Sequence, residues 1–356
     1  MENQPPKRIP ALDGGGICGA LSLGYLERLE HLIREKEGKP DLLLCDYFDL
    51  IGGTSTGAII AAGLSIGKTA GEMKDIFLSI GDAIFGKKEF NPLKWIKGKY
   101  SFERFEKALR DIFGDTTLGS ENIKTGLCVV VKRADTLSTW PILNNKDSKY
   151  FKYNKNMLLR QVVRASAVTP GYFTAQQIDL GEHQKGTFID GGMSLANNPA
   201  LQLFLIATLK GYPYRWELGE NKLSLTSIGT GNYAKRFDAE NQWLSDWAME
   251  IPNMFMEDAN FLNQTLLQYL SNSPTARNID SEIGDLKDDL INEKTALHYI
   301  RYNVLLEQNE LEDLGLNFTE EQLEFIRRPD VARNKEILYE IGSKAAVKYV
   351  LKDHLK

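Results

Sequence analysis

The stretch Tyr47-Phe48-Asp49-Leu50-Ile51-Gly52-Gly53-Thr54-Ser55-Thr56-Gly57-Ala58-Ile59-Ile60-Ala61-Ala62 sets one serine between glycines at positions 53 and 57, with an apolar run on either side. It reads as strand, sharp turn and helix, with the G-x-S-x-G spacing of a nucleophile elbow at the turn. The spacing has a physical reason. A serine on so tight a turn takes strained dihedrals, and the residues two positions away must lack side chains if strand and helix are to pass closely. Ser55 then stands at a helix N-terminus, where developing negative charge is favoured. A strand-to-helix turn that merely contains a serine has the same letters, so the reading depends on its surroundings.

Upstream, residues 8–12 read as a short strand, followed at once by Asp13-Gly14-Gly15-Gly16-Ile17-Cys18-Gly19 and a helix with Leu26, Leu29 and Ile33 on its apolar face. Pro10 fits the interior of a strand badly, because it donates no ladder hydrogen bond. Gly14, Gly16 and Gly19 match the dinucleotide-binding fingerprint in form, a weak signal by itself. The chemistry on offer is a cradle of backbone N–H groups at a helix N-terminus, which suits an oxyanion as well as a pyrophosphate. On neighbouring strands of one parallel sheet, this loop and the serine turn meet at the strands' carboxyl ends.

Downstream, helices are predicted over 70–83, 102–113, 160–167 and 200–209, and strands over 125–131, 187–189 and 223–228. That alternation predicts an α/β protein with a mostly parallel sheet. Residues 85–100 interleave Lys87, Lys88, Lys94, Lys97 and Lys99 with Phe90, Trp95, Ile96 and Tyr100. They make either a solvated loop or a basic, aromatic flap for an anionic interface. Thr187-Phe188-Ile189 delivers Asp190-Gly191-Gly192, either an ordinary Asp-Gly turn or a catalytic carboxylate with room beside it. From Trp243 onward the chain is mainly helical, and its stretch of Trp243, Trp247, Met249, Met254, Phe255, Met256 and Phe261 reads as packing rather than a ligand pocket. Residues 298–304 suggest a late strand and 334–355 a final helix.

With 356 residues, one large domain plus a C-terminal extension is expected. The formal net charge of -5 provides no basic field for a nucleic acid polymer. Cys18, Cys45 and Cys128 show no C-x-x-C spacing and cannot all pair, which fits a reducing, cytoplasmic setting. The longest apolar runs are about half of the ~20 residues a membrane span needs, so the chain is expected to touch a membrane peripherally and not to cross it.

A serine nucleophile needs a base and an oxyanion hole. None of the four histidines sits in a motif, although His183 lies close to Asp190 in sequence. The leaner arrangement is a dyad in which Asp190 takes the Ser55 proton directly. An ordinary aspartate, with a pKa near ~3.9, is a poor base at neutral pH, so the site must raise its basicity.

Taken together and in order, residues 13–19, Gly53-Thr54-Ser55-Thr56-Gly57 and Asp190-Gly191-Gly192 resemble the loops of patatin-like phospholipases over about residues 8–231. The resemblance implies a patatin-like three-layer α/β fold over residues 1–235, with a mostly parallel central sheet. Residues 236–356 would be a mainly helical C-terminal region packed on it, with a regulatory role. It also implies Ser55 as nucleophile, Asp190 as base, an oxyanion hole from Gly14, Gly15 and Gly16, and cleavage of fatty-acyl esters of membrane phospholipids. Neither a metal nor a cofactor is implied. Order and spacing are also similar to bacterial patatin effectors of antiphage defence that a cyclic nucleotide activates, and a homo-oligomer is compatible with the sequence. The family commonly has Arg where this chain has Cys18 and a hydrophobic residue in place of Pro10. Two alternatives stay open: a nucleotide-binding sensor using Gly14, Gly16 and Gly19, and a catalytically impaired lipid-binding relative, which the loss of a cation at Cys18 motivates.

Overall fold

Along strand β3 (Gly126–Arg133), Cys128 and Val130 enter one hydrophobic core while Leu127, Val129 and Val131 enter another on the opposite face. A strand buried on both sides needs helices above and below it. The computed structural model describes residues 5–85, 102–181, 184–234 and 243–356, and it supplies both layers. On one face lie α1 (Gly19–Glu37), α2 (Thr56–Ser65), α3 (Ala70–Phe85), α4 (Phe102–Phe113) and α5 (Leu159–Ala167). The other face is covered by α6 (Ala200–Thr208) and the end of α7 (Leu244–Tyr269), through Leu203, Ile206 and Leu267. The last long helix, α8 (Lys335–Tyr349), packs along α1.

Between the layers, the described residues form nine strands. The others are β1 (Lys7–Leu12), β2 (Leu50–Thr54), β4 (Ser138–Leu143), β5 (Gln176–Gly181), β6 (Gln184–Asp190), β7 (Leu223–Ile228), β8 (Ser271–Asn272) and β9 (Leu297–Tyr302). Their order is β5-β6-β3-β2-β1-β7-β9-β8, with β4 also on β3. The run from β3 to β8 is parallel; β4, β5 and β6 are antiparallel additions. The late strand β9 lies beside β7, so the C-terminal third contributes to the same sheet.

Pro10 turns out to lie within a central strand. Alternation explains how it is tolerated. The Lys7 N–H donates to Lys222 on the β7 side, whereas the Arg8 N–H turns to the Asp49 carboxylate on the β2 side. Position 10 therefore faces β2, where pairing starts only at Ala11 with Gly52, and the missing donor leaves the β7 ladder whole.

One feature of the register places the site. β2 pairs with β3 as far as Thr54 opposite Val130; β6, running the other way, continues at the next residue with Asp190 opposite Val131. Since β4 occupies the other edge of β3 there, β2 and β6 share an edge and their carboxyl ends meet head to head. The basic, aromatic segment expected at 85–100 falls, from 86 on, outside the described residues, as does His183.

Candidate active site

Ser55 leaves β2 with φ 55° and ψ -124°. Positive φ of this kind costs a residue with a side chain about 1–3 kcal/mol, so the surroundings must impose it. They do so through hydrogen bonds and close packing. The Ser55 N–H donates to Ser166 Oγ at 2.8 Å, and the Ser166 hydroxyl in turn donates to the Val130 carbonyl at 2.5 Å. A Cβ on Gly53 would run into the Gly57 carbonyl, and one on Gly57 into the Leu12 carbonyl, which is why both flanking positions lack side chains.

The Ser55 hydroxyl donates to Asp190 Oδ2 at 2.8 Å. Thr169 Oγ1 donates to the same oxygen at 2.6 Å, and the Gly192 N–H donates to Oδ1 at 2.8 Å. Asp190 is 4% exposed and Ser55 7%. Burial pushes the Asp190 carboxyl above the usual carboxylate range, and the hydrogen bonds from Thr169, Gly192 and Ser55 pull it part of the way back. The basicity that a Ser–Asp dyad requires thus has a visible source.

Beside this pair stands the glycine loop between β1 and α1. The Gly14 N–H is taken by the Asn197 carbonyl at 3.0 Å, which leaves Gly15 and Gly16 as the loop's donors. Asn197 Nδ2 and Thr230 Oγ1 both reach the Gly14 carbonyl, at 3.3 and 3.2 Å. Gly16 has φ 57° and lies against the carbonyl of Pro329, which also accepts the Ile17 N–H at 2.9 Å. The loop is held from below as well. Asp13 accepts two hydrogen bonds from Arg301 of β9, at 2.9 and 2.6 Å, and Arg301 also donates to Ser227 Oγ at 2.6 Å. Burial pushes Asp13 upward and Arg301 draws it back only in part; burial alone opposes the Arg301 charge, and Asp13 more than restores it. Cys18, also beside the loop, is a buried thiol pushed up to about 12 and so stays neutral.

Ser55, Asp190 and the glycine loop line one cavity of about 610 Å³. Its lining combines apolar side chains, among them Ile59, Phe77, Ile80, Phe105 and Phe173, with polar ones, among them Asn197, Asn232, Asn253, Asn260 and Arg328. The Met and aromatic stretch expected to be packing is divided instead: Met256 lines the cavity, while Phe255 on the same helix is 68% exposed. None of the three described histidines lines it.

All five residues expected at the site, Ser55, Asp190, Gly14, Gly15 and Gly16, are therefore brought together. Sequence reasoning missed Ser166, Thr169, Asn197, Arg301 and Pro329. Thr169 and Asn197 fall just outside the helices expected over 160–167 and 200–209, where Thr169-Pro170-Gly171 and Asn197-Asn198-Pro199 look like ordinary stop and start signals; Arg301 and Pro329 carried no local mark.

The family model described as patatin-like phospholipase matches residues 11–204. Patatin-like protein 2 of Oryza sativa subsp. indica is 29% identical over 211 residues, 54% of this chain and 51% of that protein. A cGAMP-activated phospholipase of Vibrio cholerae is 31% identical over 205 residues, 54% of this chain and 55% of that protein. The chain thus spans about half the length of these two relatives. Probable inactive patatin-3-Kuras 1 of Solanum tuberosum is 26% identical over 268 residues, 68% of this chain and 70% of that protein. Similarity alone therefore does not separate active from inactive relatives, and the geometry of the site carries the argument.

Proposed function

Because the chain belongs to the patatin-like phospholipase family, we propose that it is a serine lipid acyl hydrolase of the phospholipase A type. The observation that carries this is the 2.8 Å hydrogen bond from Ser55 to a buried Asp190 whose pKa is raised, in the wall of a cavity lined by both apolar and polar side chains. The apolar side chains of the lining suit an acyl chain and the polar ones a headgroup.

In the proposed reaction the Ser55 Oγ–H bond breaks and its proton passes to Asp190 Oδ2, while Oγ bonds to the ester carbonyl carbon. The carbonyl π pair moves onto oxygen, where the N–H groups of Gly15 and Gly16 and the N-terminus of α2 stabilise it. Collapse of this intermediate expels the alcohol oxygen, which takes the proton from Asp190 and leaves an acyl-enzyme. Water then loses a proton to Asp190 and attacks the acyl carbon, and Ser55 departs with that proton as the fatty acid is released.

Two finer points belong to the proposal. The first is that the enzyme works peripherally on a phospholipid surface, supported by Ile251, Phe255, Phe261 and Leu262, which are exposed on the helix whose other residues line the cavity. Among the described residues no helix is long and apolar enough to cross a membrane. The second is that a cyclic nucleotide activates it, supported by the name cGAMP-activated phospholipase of the Vibrio cholerae relative, with antiphage defence as the setting and the region beyond residue 235 as the regulatory part.

Fluorophosphonate labelling with peptide mapping tests the chemistry. Label on Ser55 in the wild type, lost in Ser55→Ala and much slowed in Asp190→Asn, is the expected result. A wild-type protein that stays unlabelled with lipid vesicles and a panel of cyclic dinucleotides present would favour the impaired relative, the reading that Cys18 motivates.

A further inference from the structure

Asp190 Oδ2 accepts two hydroxyls at once, Ser55 at 2.8 Å and Thr169 at 2.6 Å. A carboxylate oxygen has two lone-pair sites, so Thr169 occupies one and leaves the other for the Ser55 proton. Oδ1 is fixed separately by the Gly192 N–H, which sets the carboxylate plane. The backbone is tied at the same place, since the Asp190 N–H donates to the Val168 carbonyl at 3.1 Å, one residue before Thr169. Ser166, three residues earlier, holds the Ser55 N–H. The end of α5 thus bears two hydroxyls, one on the amide of the nucleophile and one on the carboxylate of the base.

We propose that Thr169 is a positioning residue for acyl transfer: its hydroxyl fixes the lone pair of Asp190 that receives the Ser55 proton and keeps the buried carboxylate ionised. The proposal rests on Asp190 acting as the base. When the Ser55 proton moves to Oδ2, Thr169 keeps donating to the other lone pair, and the new O–H bond points back towards the oxygen that must reclaim the proton. No other group does this work among the described residues. The groups hydrogen-bonded to the carboxylate are Thr169, Gly192 and Ser55, whereas Arg164 of α5 donates to Gln176 and Asn197 to the Gly14 carbonyl. The charged side chains of the cavity, Asp13, Glu257, Arg301, Arg327, Arg328 and Asp330, make no hydrogen bond to Asp190. A hydroxyl is therefore set against desolvation with no cation to help it.

The test measures the rate of Ser55 labelling and kcat/KM on a soluble short-chain ester across the pH range, in the full chain carrying Thr169→Val, Thr169→Ala or Thr169→Ser, with thermal melting alongside. Removing the hydroxyl in Val and Ala should move the acidic limb up by about one pH unit, with about a tenfold loss at any pH on that limb that recovers above it. The Ser variant should keep the wild-type limb. An unmoved limb in Val and Ala overturns the proposal, whether the rate is unchanged or uniformly lowered, because a merely structural role slows the enzyme at every pH alike. Asp190→Asn separates the two failures. If it labels at the wild-type rate, the base assignment falls and this proposal with it; if it is silent while the Thr169 limb stays in place, only the role of Thr169 is lost.

Discussion

Asp190 is useful as a base for the same reason that it burdens the fold. Its folded pKa is raised by burial, so the native state holds this proton more tightly than the unfolded chain does. Stability from this group is therefore full below the ordinary carboxylate range and falls as pH rises through that range towards the raised value. Asp190→Asn removes the buried charge. At neutral pH this variant should melt at a higher temperature than the wild type, with the difference shrinking in acid, while Ser55 labelling falls by about 10²-fold or more. Calorimetry at two pH values and a labelling time course check both halves. The glycines of the turn are equally exposed to test. Gly57→Ala pushes a methyl group against the Leu12 carbonyl, so it should abolish labelling and lower the melting temperature together.

At the scale of elements, α7 shows both the reach and the limit of reading the chain. Its aromatic and Met residues were visible, but hydrophobicity does not say which side of a helix meets the core when the helix is also the wall of a cavity. Asn253 and Met256 face inward, whereas Phe255 and Phe261 are left to solvent. If that outer face meets lipid, Phe255→Asp should reduce binding to zwitterionic vesicles by about tenfold or more and leave hydrolysis of a soluble ester intact, as co-sedimentation and a parallel ester assay would show. The strands divide in a similar way. β1, β2, β3 and β7 were legible because each is an apolar run ended by glycine or a turn. β4 is broken in pattern by Pro141, and β5 alternates exposed and buried residues at the margin of the sheet, so neither announces itself. The antiparallel entry of β6 follows from the shared edge of β3, a tertiary fact with no local signature.

Over the whole molecule, the local motifs supplied Ser55, Asp190 and the glycine loop, and distance hid what holds them. Asp13 and Arg301 are 288 positions apart, and nothing near Arg301 marks it. Breaking a buried pair by removing one partner costs about 3–5 kcal/mol. Arg301→Gln should therefore lower stability by that order, measured by denaturant unfolding, and adding Asp13→Asn should restore much of it by relieving the stranded carboxylate. A panel of cyclic dinucleotides assayed for ester hydrolysis addresses the activation proposal at this scale. Stimulation by one or more members is expected, and equal rates across the panel would count against it.

The Asp13–Arg301 pair also has a meaning in time. A ribosome delivers Ser55 first and Asp190 later, and the guanidinium that anchors the glycine loop and the Pro329 carbonyl against it emerge only after both. On the function proposed here, a nascent chain carries its nucleophile through all the synthesis between Ser55 and Arg301 without a braced loop to use it, and the cell's own membranes meet the finished catalyst only once Arg301 and Pro329 have been delivered.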